Sequence, residues 1–296
     1  MPEKPLFASE YRKEQAELVR QTCLYVATKL GDLLDELVVV GGLVPSLLIP
    51  ENSVPRGEDS HVGTMDLDLG LSLALLNADR YEELTARLRR AGFEPDVNEA
   101  GNPTFQRWKI EPSGHLKMTV DFLMASSLDQ DEGGKIRHIE KDFAAVLTQG
   151  LHLSFRDRRR FSLSGSTILG EKANRELWVC GPGAFVVLKA LAFGTRGENK
   201  DAYDLYYVIR NYGSGVDDVL EHLNPILQEQ ETQRHFRYCF VTSLTPTEWD
   251  LFGWRNSSIM LPTANCKPML QVLFACCSGN AILPNYPVLA QIRPST

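Results

Sequence analysis

The chain reads as an α+β protein, sheet first and helices after, and three observations carry that reading. Up to about residue 180, short β-branched and aromatic runs alternate with Gly, Pro and Asn, the punctuation of strands and hairpins. From Pro182 the character changes: Ala184 to Phe193 is apolar with one charge, Lys189, and a further helical stretch runs through Ile209. Between a first amphipathic helix and the strand-rich region lies Leu37-Val38-Val39-Val40-Gly41-Gly42, followed by an apolar Leu43 to Ile49. That is a strand, a glycine turn and a short helix, with Pro45 suited to the helix's first turn.

Composition sets the bounds. A chain of 296 residues with 43% apolar content has enough material for a real core, in one large domain or two ordinary ones. The longest apolar run, Leu67 to Leu76, is interrupted by Asp68, Gly70 and Ser72 and is too short to span a bilayer. The first thirty residues are charged and helical in pattern, so no signal peptide is read and a cytoplasmic location is expected. The cysteines at 23, 180, 239, 266, 276 and 277 form no C-x-x-C pair and are expected to be mostly buried thiols. A net charge of -7 argues against a broadly basic nucleic-acid binder while leaving room for a local basic groove.

Taken in order, residues 10–34 place Leu18, Val19, Cys23, Val26, Leu30 and Leu33 at helical spacing, a core-covering helix. Residues 50–63 read as a surface loop, and the strand that follows extends to about Leu75. Asp79 opens a charged helix ending near Arg90, with Gly92 as its stop. Phe93 to Glu99, Thr104 to Ile110 and Leu116 to Leu123 are expected as strands joined by Gly-Asn-Pro and Pro-Ser-Gly turns. Residues 125–142 are expected as a loop or lid, with strands at Val146 to Phe155 and Phe161 to Ile168. The arginine cluster 156–160 between them reads as a solvated hairpin tip or, alternatively, as a phosphate-backbone contact. After about residue 233 the periodicity fades, and the tail to Thr296 is expected to be irregular.

The stretch with the clearest chemistry is Gly63-Thr64-Met65-Asp66-Leu67-Asp68-Leu69-Gly70. On a strand, Asp66 and Asp68 point to the same face. Two adjacent carboxylates repel and resist burial, so they sit in solvent at a polar strand end or at a cation, and Mg²⁺ with substrate phosphates suits such a pair. Gly41 and Gly42 make either a plain turn or a cradle in which backbone N–H groups approach a phosphate. Asp121, alone among apolar neighbours, reads as a structural residue unless its strand lies beside the D-x-D strand, where it would complete a group of three carboxylates. Lys189 either snorkels to the surface or is a point charge for a triphosphate, with Arg196 and Lys200 as companions. On a helix Asp201 and Asp204 share a face.

Over about residues 15–225 this ordered set resembles the AbiEii/AbiGii-type nucleotidyltransferase toxins, relatives of the MenT toxins in the DNA polymerase β-like superfamily. The resemblance rests on Val39-Val40-Gly41-Gly42, the Gly63 to Leu69 segment, Val120-Asp121-Phe122-Leu123, Lys189, Arg196 and Lys200-Asp201-Ala202-Tyr203-Asp204-Leu205. It implies a twisted mixed sheet flanked by helices over residues 1–180 and a mainly helical domain over 181–296. It further implies catalytic roles for Asp66, Asp68, Asp121, Lys189 and Asp204, with Mg²⁺ on Asp66, Asp68 and Asp121. Nucleotide binding would fall to Gly41, Gly42, Thr64, Lys189, Arg196, Lys200 and Asp201. The activity so implied is Mg²⁺-dependent transfer of NMP from an NTP to an acceptor hydroxyl, the 3′ end of tRNA, by the toxin of a toxin-antitoxin or phage-defence pair with a cognate antitoxin. Transfer to a small molecule or protein, and a catalytically silent nucleotide-binding module, are the alternatives. The chain departs from the family in a longer loop before Thr64 and in carrying His61 and Val62 where an arginine is common.

Overall fold

The computed structural model describes residues 12–54, 60–72, 78–112, 116–126 and 133–227. Residues 1–11, the tail after 233, four of the six cysteines and the expected end of the second strand near Leu75 lie outside those residues, as do parts of the loops at 50–63 and 125–142.

The chain is α+β, a mixed sheet flanked by helices. Helix α1 (Lys13–Leu30) buries Val19, Cys23, Val26 and Leu30 along one side. It stops at Gly31, whose φ of 59° a side chain would resist, and a 3-10 turn over Gly31–Glu36 delivers the chain into β1 (Leu37–Val40). All four β1 residues are buried, and β1 is flanked on both edges, by β2 (Asp66–Leu71) antiparallel and by β9 (Lys172–Cys180) parallel. A turn at Gly41–Leu43 and a short helix α2 (Val44–Leu48) with Pro45 in its first turn follow β1.

Helix α3 (Ala78–Arg90) is tied to the turn before β1 by Arg80 with Glu36 and by Arg87 with Asp32, the latter pair at 2.6 Å. Next come β3 (Glu94–Val97), β4 (Pro103–Ile110) and β5 (Met118–Ala125), with β4 antiparallel to both neighbours. The main path of the sheet runs β3-β4-β5-β2-β1-β9 and ends on β8 (Arg158–Ser166), and β5 lies parallel to β2. The far half of β5 also pairs with β7 (Phe143–Thr148), and β7 with β6 (Ile136–Glu140). Trp108, Phe122 and Phe143 are among the largest fully buried side chains. The hairpin of β8 (Arg158–Ser166) and β9 closes the opposite edge, and α5 (Pro182–Arg196), α6 (Asn199–Asn211) and α7 (Val216–Leu227) follow as a packed helical group.

Three local expectations need correction. Residues 136–140, read as part of a loop, form strand β6; its largely exposed residues at the sheet's margin lack the apolar alternation that marks a strand. The expected strand from Val146 to Phe155 begins earlier, at Phe143, and ends at Thr148, where Gly150 with φ of 75° turns the chain into the single helical turn α4 (Leu153–Arg156). Arg158, Arg159 and Arg160 are not at a hairpin tip. They pair in register with Cys180, Val179 and Trp178, and the tip lies at 167–171. The guanidinium carbons of Arg158 and Arg160 sit over the indole of Trp178, 4.1 and 4.2 Å from the ring centroid.

Candidate active site

Strand β2 is the floor of the site. Leu67 and Leu69 are buried, so alternation leaves Asp66 and Asp68 together on the other face, each partly buried. Asp68 stands opposite Val40 on one side and Asp121 of β5 on the other, which brings the third carboxylate beside the pair. Thr64 donates its hydroxyl to Oδ1 of Asp66 at 3.2 Å.

The glycine pair closes over this floor. Gly41 has φ of 70°, and a Cβ there would lie 1.8 Å from Oδ2 of Asp68; a Cβ on Gly42 would lie 2.7 Å from Oγ1 of Thr64. Both positions are glycine because the backbone passes directly over the site's own polar groups.

Arg107, on β4 directly opposite Asp121, escaped the sequence reading. Its Nε donates to Oδ1 of Asp121 at 2.6 Å and its Nη2 to Oδ2, a bidentate pair, while Nη2 lies 3.7 Å from Oδ2 of Asp66. The bond to Asp121 raises the guanidinium's pKa further against the opposing effect of burial. The alternation Arg107, Trp108, Lys109 marked a strand, but which acid the arginine would meet depends on register, which the sequence does not print.

The second wall comes from α5 and α6. Lys189 is buried, with Nζ 2.9 Å from Oδ1 of Asp201 and 2.8 Å from Oδ2 of Asp204. Burial pulls its pKa down, but Asp204 and Asp201 outweigh that and leave it raised. Arg196 grips Asp201 through Nε at 2.6 Å and Nη2 at 2.8 Å. Lys200, one turn before Asp204 on α6, pairs with its Oδ1; burial lowers the ammonium's pKa against Asp204's opposing pull. Burial raises the pKa of both aspartates, and the surrounding cations reverse the sign and hold both below the usual carboxylate range.

His61 completes the network. Its Nδ1 accepts the N–H of Gly63 at 3.1 Å, so Nε2 carries the hydrogen and donates to Oδ1 of Asp204 at 2.8 Å. Burial and then the charge of Lys200 push its pKa down to about 4 despite the bond to Asp204, so the ring is neutral at pH 7. Tyr203 and Tyr207 of α6 pack on the ring, and their hydroxyl oxygens accept backbone N–H groups of the same loop: Tyr203 from Val62 at 3.2 Å and Tyr207 from His61 at 3.1 Å. His61 and Val62 stand just before the Thr64 segment, and through these bonds His61 ties that loop to α6.

These elements enclose a cavity of about 240 Å³. Gly42, Thr64, Asp66, Asp68 and Asp121 line one side, and Lys189, Arg196, Lys200, Asp201 and Asp204 the other. With Glu198 and Arg107 the lining holds six acids against four bases, an excess of negative charge. Gly41 lines a second, mainly apolar cavity of about 400 Å³, which shares Asp68, Leu123, Val146, Lys189 and Arg196 with the first. Asp66 and Asp68 fit a divalent ion held by two carboxylates plus substrate oxygens. Asp121 is engaged by Arg107, and among the described residues no group of three or more His, Cys, Asp or Glu side chains is arranged to hold a metal ion.

No family model matches the chain, and no curated protein matches it. Among solved structures it is similar to an antigenic nucleotidyltransferase-like protein from Paracoccidioides brasiliensis, with 16% identity and a TM-score of 0.38 over 78% of this chain and 95% of that chain. Among the described residues no helix is long and apolar enough to cross a membrane.

Proposed function

We propose that the chain is a Mg²⁺-dependent nucleotidyltransferase that moves NMP from an NTP to an acceptor hydroxyl. The observation that carries this reading is the meeting, in one cavity, of the β2 aspartates with the cations of α5 and α6. A lining with more acids than bases repels a triphosphate that arrives alone and accepts one that arrives with a divalent ion. When bound at Asp66 and Asp68, Mg²⁺ would supply charge neutralisation at the reacting phosphate oxygens.

The protein's own residues then have distinct tasks. Lys189 donates to Asp201 and is paired by charge with Asp204, and its ammonium lines the cavity where a phosphate oxygen would bind. Arg196, braced by Asp201, borders both cavities and suits the boundary between triphosphate and nucleoside. Asp201 and Asp204 aim the cations. Asp121, held by Arg107, orients the acceptor hydroxyl and takes its proton. The acceptor oxygen bonds to the α-phosphorus, the bond from that phosphorus to the β-phosphate bridging oxygen breaks, and pyrophosphate leaves. The larger chamber, within the range of about 300–1,000 Å³ usual for small-molecule sites, is apolar enough for a nucleoside.

The acceptor and the biological setting come from the family resemblance: the 3′ end of tRNA, and a toxin restrained by a cognate antitoxin. The test is label transfer from each α-³²P NTP with Mg²⁺ and total tRNA, comparing wild type with Asp66→Asn. Label in tRNA that the variant abolishes supports the proposal. Mg²⁺-dependent NTP binding without transfer to RNA, small molecules or protein would instead indicate a silent nucleotide-binding module.

A further inference from the structure

We infer that Arg107 is a built-in counter-ion that takes the place of a second divalent ion, so that the site binds one metal ion, at Asp66 and Asp68, and not two. The inference rests on the nucleotidyltransferase reading and deepens it. Arg107, Asp121 and Asp68 lie in one row across three adjacent strands, because the β4–β5 register sets Arg107 opposite Asp121 and the β5–β2 register sets Asp121 opposite Asp68. Backbone pairing therefore sets Arg107 beside Asp121, and its two bonds to that carboxylate hold the guanidinium there.

Its chemistry is that of a cation bridging two anions. Nε and Nη2 engage both oxygens of Asp121, and Nη2 also faces Oδ2 of Asp66 at 3.7 Å, a charge contact beyond hydrogen-bond range. A second metal ion shared by Asp66 and Asp121 would need oxygens at roughly 2.0–2.1 Å in the space the guanidinium fills. Moving the arginine out would leave Asp121, whose side chain is 13% exposed, without its bidentate donor. Unlike a metal ion, the planar fork cannot leave with product, and it directs the lone pairs of Asp121 in a fixed plane. Arg107 is thus a positioning residue acting through Asp121 and the local charge.

A purely structural salt bridge predicts the same loss of stability on mutation but no change in metal count, so metal count is the deciding readout. The full chain is titrated with Mn²⁺ in the presence of the four α,β-methylene nucleoside triphosphates and followed by electron paramagnetic resonance. The expected result is one Mn²⁺ per chain in wild type and in Arg107→Lys. Arg107→Met should bind two, with the spin coupling of ions roughly 3.5–4 Å apart. Two coupled ions in wild type overturn the inference, and that measurement needs no variant to fold. A folded Arg107→Met that still binds one ion overturns it as well. No Mn²⁺ binding by wild type with any analogue sinks the nucleotidyltransferase reading itself and this inference with it, an outcome distinct from the other two.

Discussion

The Cβ that Gly41 lacks would lie 1.8 Å from Oδ2 of Asp68. The end of β1 and the carboxylate of β2 are thus fitted to each other before any ligand arrives. Gly41→Ala meets both that clash and a φ of 70°, so it should cost about 1–3 kcal/mol of stability and displace Asp68. Loss of Mn²⁺ affinity in Gly41→Ala together with a lower urea midpoint is the expected pair of results. Unchanged metal affinity would mean that Asp68 does not need its present place.

Asp66→Asn should behave in the opposite way. Asp66 lies in a cavity whose acids outnumber its bases, so removing one negative charge relieves repulsion as well as removing a ligand. In EDTA the variant should be within about 1 kcal/mol of wild type or more stable, while transfer falls by about 10²–10³-fold or more. Wild type alone should gain stability from Mg²⁺ with NTP, about 2.7 kcal/mol at a hundredfold excess over Kd. Thermal melts with and without ligand check both statements.

Lys189 cannot be tested for chemistry alone. It is the shared partner of two fully buried carboxylates, Asp201 and Asp204, and its removal leaves them short of a cation. Lys189→Met should therefore destabilise the fold by about 3–5 kcal/mol, whatever it does to nucleotide binding. Equal urea midpoints for variant and wild type would show that Lys200 and Arg196 suffice.

Much of this site was legible in the sequence, and the limits have a physical origin. The D-x-D spacing places Asp66 and Asp68 on one strand face whatever the fold, and three-residue spacing puts Asp201 and Asp204 on one side of a helix, because both follow from backbone periodicity. The strand, turn and helix around Gly41 were visible for the same reason. What the sequence does not carry is register: nothing local says that Arg107 meets Asp121, or that Arg160 stands opposite Trp178. His61 was seen only as a departure from the resemblance. Its role depends on a loop docking onto α6 across 143 positions of sequence. Strand β6 was missed because an exposed marginal strand has no apolar face to reveal it.

The neutral, buried state of His61 gives the protein an acid sensitivity of known sign. Its pKa is about 4 in the folded chain and about 6.5 when unfolded, so below pH 6.5 the unfolded state binds the extra proton. The stability this histidine provides is full above pH 6.5 and declines as pH falls towards 4, by roughly 3 kcal/mol in all. Asp204, depressed by its cations, loses its contribution only at lower pH still. Denaturation between pH 7 and 4 should show this slope. His61→Phe, less stable throughout for want of the bond to Asp204, should lose about one proton's worth of it. A variant with the wild-type slope would assign the effect to other groups.

Asp157 holds the helical wall to the sheet. From the position between α4 and β8 its Oδ2 accepts the backbone N–H of Ala184, in the first turn of α5, at 2.9 Å, and its Oδ1 meets Nδ1 of His222 on α7 at 3.0 Å. Close approach is required on both sides: a Cβ on Gly181 would lie 2.0 Å from Oδ1 of Asp157, and one on Gly183 2.6 Å from the carbonyl of His222. Since α5 carries Lys189 and Arg196, a cap supplied from the sheet also sets where those cations stand. Asp157→Ala should lose about 1–3 kcal/mol, the cost of an uncapped helix start and a lost charged bond. Asp157→Asn keeps an acceptor for Ala184 and should lose less. Hydrogen exchange along α5 should speed up in Asp157→Ala, with weaker NTP binding in parallel. Unaltered exchange there would show that packing alone, through Phe185 and Val186, seats the helix.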